Sequence, residues 1–193
     1  MVKVINLPPP ILLQLRIQLL GVEPAVWRQV LVPESITLPK LHEVIQAAMG
    51  WRDSHLHEFE INSFRYGQPD QEWDLGSDLL LSEADVRLGK CLANCKSFTY
   101  VYDLGDDWQH LIQVEERVCP DQLLLKPICL AGEGACPPED VGGVPGYQHF
   151  VSVMQDRANP EYEDFCAWLG AKTFDPGLFD MKQANLRLGR IRL

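Results

Sequence analysis

Two stretches of strict alternation, separated by a turn, constrain this chain more than any other feature. From Ile11 to Leu20 the apolar residues Leu13, Leu15, Ile17 and Leu19 are spaced by Gln14, Arg16 and Gln18. Successive side chains of an extended strand point to opposite faces, so this run is a strand with one face buried. After Gly21 to Pro24, the segment Ala25 to Val32 alternates again, with Val26, Arg28 and Val30 opposite Trp27, Gln29 and Leu31. Two such runs around a turn predict a hairpin.

The period then changes. Thr37 is placed to cap a helix, Pro39 falls in its first turn, and Leu41, Val44, Ile45, Ala48 and Met49 recur at three- and four-residue spacing up to Gly50. His55 to Ile61 alternates as a third strand, with His55, His57, Phe59 and Ile61 on one face. Tyr66 to Asp85 is polar and reads as a loop, with a short strand near Phe64 and one helical turn at Ser82 to Leu88. Phe98 to Asp103 and Trp108 to Glu116 predict a second hairpin around Leu104, Gly105 and Asp106. Helical patterns follow at Tyr147 to Gln155, Glu161 to Leu169 and Pro176 to about Leu188, the last opened by Asp175 as N-cap.

This order predicts an α+β fold: a mainly antiparallel sheet of about five strands with one packed helix, β-grasp-like, and a helical C-terminal part. A single domain over 1–193 is the expectation, with sheet and helix in 11–127, a Gly/Pro loop in 128–146 and helices in 147–193.

Composition narrows the function classes. Lys plus Arg total 17 against 27 for Asp plus Glu, a net charge of −10. Nucleic-acid binding draws on cations that neutralise phosphates, and this balance argues against it. No apolar run reaches the roughly 18 residues of a membrane span, and the Pro8 to Pro10 leader comes too soon for a signal peptide, so a soluble cytoplasmic protein with no membrane partner is expected. The six cysteines then read as reduced thiols.

Three groups of residues carry candidate chemistry. His55 and His57, two apart on a predicted strand, point the same way and suit a divalent metal. Asp103, Asp106 and Asp107 crowd a tight turn with His110, where carboxylates either bind a hard cation or bond nearby backbone N–H groups. Were that hairpin beside the His55 strand, His55, His57, His110 and one of these aspartates would form a three- or four-ligand site. The third group is the glycine-rich loop with Cys136, Glu139, Asp140, Gly142 and Gly143, a candidate binding loop. The glycines lack the Lys-Ser/Thr ending of a phosphate loop, and the cysteine spacings are unlike a zinc knuckle.

Trp27-Arg28, the run Leu41 to Trp51, and His55 to Phe59 closely resemble the plasmid pRiA4b ORF-3-like family. Tyr102 to His110, Ala135 to Asp140 with Gly142-Gly143, and Phe174-Asp175-Pro176 extend the resemblance from about Leu13 to Leu186. It implies a protein of uncharacterised function. Some members carry the label of a TnpR-type passenger protein of insertion elements, which implies resolvase-like recombination. The family pattern often has a cysteine where this chain has Val141.

The residues lack the serine-among-arginines set that recombination needs. The leading expectation is therefore a non-enzymatic binding or adaptor module for a protein or small ligand. A metal-dependent hydrolase using the His and Asp cluster is the second reading, and a mobile-element accessory protein the third.

Overall fold

The computed structural model describes residues 10–68, 80–120 and 124–193. The leader before residue 10 and most of the polar stretch anticipated between 66 and 85 lie outside them.

The alternating runs form β1 (Leu12–Leu19) and β2 (Val26–Pro33), paired antiparallel with Leu15 opposite Val30 and Ile17 opposite Arg28. Then come α1 (Leu38–Met49), β3 (His57–Ile61), β4 (Phe64–Gly67), β5 (Leu80–Ser82), α2 (Leu88–Leu92), β6 (Ser97–Tyr102) and β7 (Trp108–Val118). The chain ends with β8 (Ile128–Glu133), α3 (Gly143–Gln155), α4 (Tyr162–Leu169) and α5 (Met181–Leu188). Among the described residues one eight-stranded sheet runs in the order β5-β4-β3-β6-β7-β1-β2-β8. Its neighbours are antiparallel except β4 and β5, which are parallel.

This corrects the expectation of about five antiparallel strands in a β-grasp-like arrangement with one packed helix: among the described residues the sheet is mixed and eight-stranded, and five helices accompany it. The missed strands lie towards the sheet's two ends. β8 falls in the stretch expected to be a loop, since Cys129-Leu130-Ala131-Gly132 shows no alternation, and its strand geometry comes from pairing with β2. Gly132 leaves the space that the Phe179 ring fills, since a Cβ there would stand 2.5 Å from the ring. The short strand expected near Phe64 is β4, which turns back from β3 through Asn62 and Ser63, both at positive φ. Helix boundaries also shift. Asp175 closes a turn by accepting from the Gly177 N–H, while Asp180 caps α5 by accepting from the Gln183 N–H.

One face of the sheet carries the core. Along it Val26, Leu19, His110, Tyr100 and Phe59 form one cross-strand row, and Arg28, Ile17, Ile112 and Phe98 the next. All are buried, and each large apolar side chain so covered contributes about 1.5–3 kcal/mol. The opposite face is lined by Gln14, Arg16, Gln29, Gln113 and Glu58, as the alternation requires.

Helix α1 lies on the core face and buries nine of its residues. Its C-terminal carbonyls, which lack partners within the helix, are taken by groups from three segments. Gly50, at φ 113, donates its N–H to Gln46 O; Arg187 Nε donates to Ala47 O at 2.7 Å; Arg28 Nε donates to Ala48 O at 3.1 Å. The rest of the Arg28 guanidinium donates to the carbonyls of Trp27, Glu133 and Gly134 and stacks on Phe179 at 4.0 Å. An arginine on the inward face of β2 is thus what ties β8 and α1 together.

Candidate functional site

Three segments far apart in sequence converge at the edge of the core: the α1–β3 connection, the β6–β7 turn and the loop between β8 and α3. Asp103, at φ 56, opens the turn, and its Oδ1 accepts from the N–H groups of Gly105 and Asp106 at 3.0 and 3.2 Å. That is the turn-forming role of an aspartate. Its Oδ2 stays clear of the turn and faces His55 Nε2 at 3.5 Å.

The glycine loop is pinned from several sides. Trp51 Nε1 donates to Pro137 O, the Arg52 N–H to Glu139 Oε1 at 2.7 Å, Tyr102 Oη to Glu139, and the Gly142 N–H to Asp106 Oδ2. Gly143, at φ 65, passes so close to the turn that a Cβ would stand 2.6 Å from Asp106 O. Only glycine tolerates both the conformation and the approach.

Pinned this way, the loop delivers Asp140 Oδ1 to 3.0 Å and Glu139 Oε2 to 3.9 Å from His55 Nε2. That nitrogen is buried and makes no hydrogen bond among the described residues. His55, Asp103 and Asp140 present ligand atoms all within 4.8 Å of one another. Two ligands about 2.1 Å from a tetrahedral ion are themselves roughly 3.4 Å apart, so the His55 distances to Asp103 and Asp140 suit a shared cation. An imidazole with two or three carboxylates matches zinc, manganese or iron.

The other predicted site residues are separated from this cluster. His57 bonds Glu83 at 3.0 Å and stacks on His42. The strand alternation placed it beside His55, but β3 begins only at His57, so the two-residue rule does not reach back to His55. His110 is fully buried, with Nδ1 bonded to Tyr100 O and Nε2 without a hydrogen bond among the described residues; burial pushes its pKa down to about 4. Asp107 accepts from Gln109 Nε2 and Asp106 from Gly142, so both serve the turn and the loop. Cys136 packs beside the core, and burial pushes its thiol up to about 12.

His42, Gln46 and Tyr100 went unrecognised as a polar network because their spacing on α1 and β6 is that of core positions. The hydrogens in it are fixed by elimination. The Asp53 N–H donates to Gln46 Oε1, which leaves Gln46 Nε2 to donate to Tyr100 Oη. The Tyr100 hydroxyl therefore donates to His42 Nδ1, and His42 Nε2–H donates to Asp53 Oδ1 at 2.8 Å.

Beside the His55 cluster lies a cleft of about 560 Å³, whose lining includes Trp51, Arg52, Cys136, Phe174, Phe179 and Arg187 together with Glu139 and Asp140. The model of plasmid pRiA4b ORF-3-like proteins matches residues 12–183. The chain belongs to that family. Its relatives include an uncharacterized protein, y4hQ, of Sinorhizobium fredii, 41% identical over 177 residues that cover 89% of this chain and 88% of the relative. The crystal structure of a protein of unknown function from Methanosarcina mazei Go1 matches this pRiA4b ORF-3-like protein with a TM-score of 0.78 at 37% identity. That likeness covers 90% of this chain and 97% of the other. The family is thus one of uncharacterised function. Among the described residues no helix is long and apolar enough to cross a membrane.

Proposed function

We propose that this pRiA4b ORF-3-like protein is a binding module that holds a divalent cation through His55, Asp103 and Asp140 and takes a small ligand in the adjoining cleft. One observation carries the reading: a buried imidazole nitrogen without a hydrogen bond, facing three carboxylates. An unpaired buried polar atom is costly, and a cation would satisfy it while offsetting the repulsion of the acids. The cleft is within the size range of small-molecule sites and is walled by aromatic rings with a few polar groups, the usual make-up of such sites.

The test is elemental analysis of protein purified without a metal-affinity column, followed by thermal shifts with zinc, manganese and ferrous iron. Bound metal, or a rise in Tm that His55→Ala abolishes, is the expected result. No bound metal and no shift with any of the three would overturn the reading.

Metal-dependent hydrolysis is the second reading. It is favoured by the exposed Asp140, on the cleft side, since catalytic zinc sites combine three protein ligands with an open position for water. Turnover of ester or phosphoester substrates by the metal-loaded protein, lost in His55→Ala, would select it over simple binding.

A further inference from the structure

The C-terminal end of α1 gathers more positive charge than its surroundings answer. Arg28 and Arg187 both donate to its last carbonyls, but a helix C-terminus amounts to roughly half a negative charge against two whole guanidinium charges. Among the described residues neither has a carboxylate within ion-pair distance. Asp180, whose charge acts on Arg187, already caps α5. Burial lowers the pKa of both arginines, which marks the charge as held at a cost.

On the outer side of Arg187 a second cleft of about 550 Å³ opens, and Trp51, Arg52 and Arg187 form the wall between it and the first. Arg190 and Arg192 also line it. The acids along it are engaged: Glu43 with Lys40 at 2.7 Å, and Asp53 with His42 at 2.8 Å. Four guanidinium groups without ion pairs among the described residues therefore face one cavity, in a chain whose net charge is −10. Arg187 is held there by its Nε alone, and its two terminal nitrogens make no hydrogen bond among the described residues.

We propose that this second cleft binds a compact phosphate-bearing anion, gripped by Arg52, Arg187, Arg190 and Arg192. The planar guanidinium fork matches phosphate oxygens in pairs, which favours phosphate over a diffuse anion. Compactness follows from the charge: a long polyanion would overlie the acidic surface, whereas a small one meets only the arginines. The site stands independently of the cation at His55.

The experiment is calorimetric titration of the full chain with inorganic pyrophosphate in EDTA, so that no metal contributes. Saturable one-to-one binding that weakens with added salt is expected. Because Arg187 also holds Ala47 O, the decisive variant is the exposed pair, Arg190→Gln with Arg192→Gln, which should bind at least about ten-fold more weakly at an unchanged Tm. Gln183→Glu, one helical turn before Arg187, places a carboxylate within reach of that guanidinium and should also weaken binding. No binding, undiminished affinity in the double variant, citrate binding as tightly as pyrophosphate, or tighter binding of a short DNA duplex would each overturn the proposal.

Discussion

The imidazole rings of His42 and His57 lie face to face, 3.6 Å apart and 8° from parallel, each turned to its own carboxylate, Asp53 or Glu83. At that spacing the charge of His57 opposes a charge on His42. Burial first and His57 second hold the His42 pKa below its ordinary value, while burial takes His110 from 6.5 to about 4. Below about pH 6.5 the unfolded chain therefore binds protons that the folded chain refuses. Stability is full above that pH and falls as pH drops towards 4, with His110 alone contributing a loss of about 3 kcal/mol. Urea midpoints measured from pH 7.5 to 4 should show this slope, and His110→Phe should flatten it.

The Asp53–Gln46–Tyr100–His42 circuit has its hydroxyl proton as the weak point. Tyr100→Phe removes the donor to His42 Nδ1 and the acceptor for Gln46 Nε2 at once. The loss should be about 1–3 kcal/mol by chemical denaturation, with no change in cation affinity at His55.

Asp103 divides its two oxygens between folding and function, and two substitutions separate them. Asp103→Asn keeps an oxygen for the Gly105 and Asp106 N–H groups but discards the charge facing His55. It should fold with a stability close to that of the original and bind the cation at least about ten-fold more weakly, as read by competition with a fluorescent chelator. Asp103→Ala loses the turn as well, at a further cost of about 1 kcal/mol.

Thiol chemistry should distinguish Cys119 from Cys136. Cys119 is exposed, whereas burial holds the Cys136 thiol at about 12, so its thiolate is scarce at neutral pH. Mass spectrometry after iodoacetamide treatment at pH 7.5 should find Cys119 alkylated well before Cys136. Equal rates would show that the glycine loop opens freely.

The parts of the fold that were legible in the sequence have a period that local sequence sets. The alternation in β1 and β2 and the spacing in α1 each state which face is buried, and the structure follows them. β8 and β5 were not legible, because their extended form is imposed by the strand beside them rather than by their own residues. At the site, His55, Asp103 and Asp140 were each visible as chemistry-bearing residues. Their grouping was not: it depends on β3 starting after His55 and on Trp51, Arg52 and Tyr102 holding the loop against the turn. Arg28 gave no warning beyond its place on an inward-facing position, where an apolar residue is the rule.

The three strands of chain that meet at His55 are brought together only by the native topology. In the unfolded ensemble the imidazole and the two aspartates are separated by long stretches of random coil and make no chelate. Any cation they capture therefore binds the folded form alone, and mass action turns its binding energy into resistance to unfolding: about 2.7 kcal/mol at a free concentration 100 times Kd. For this protein, the availability of the ion would set how long the chain stays folded.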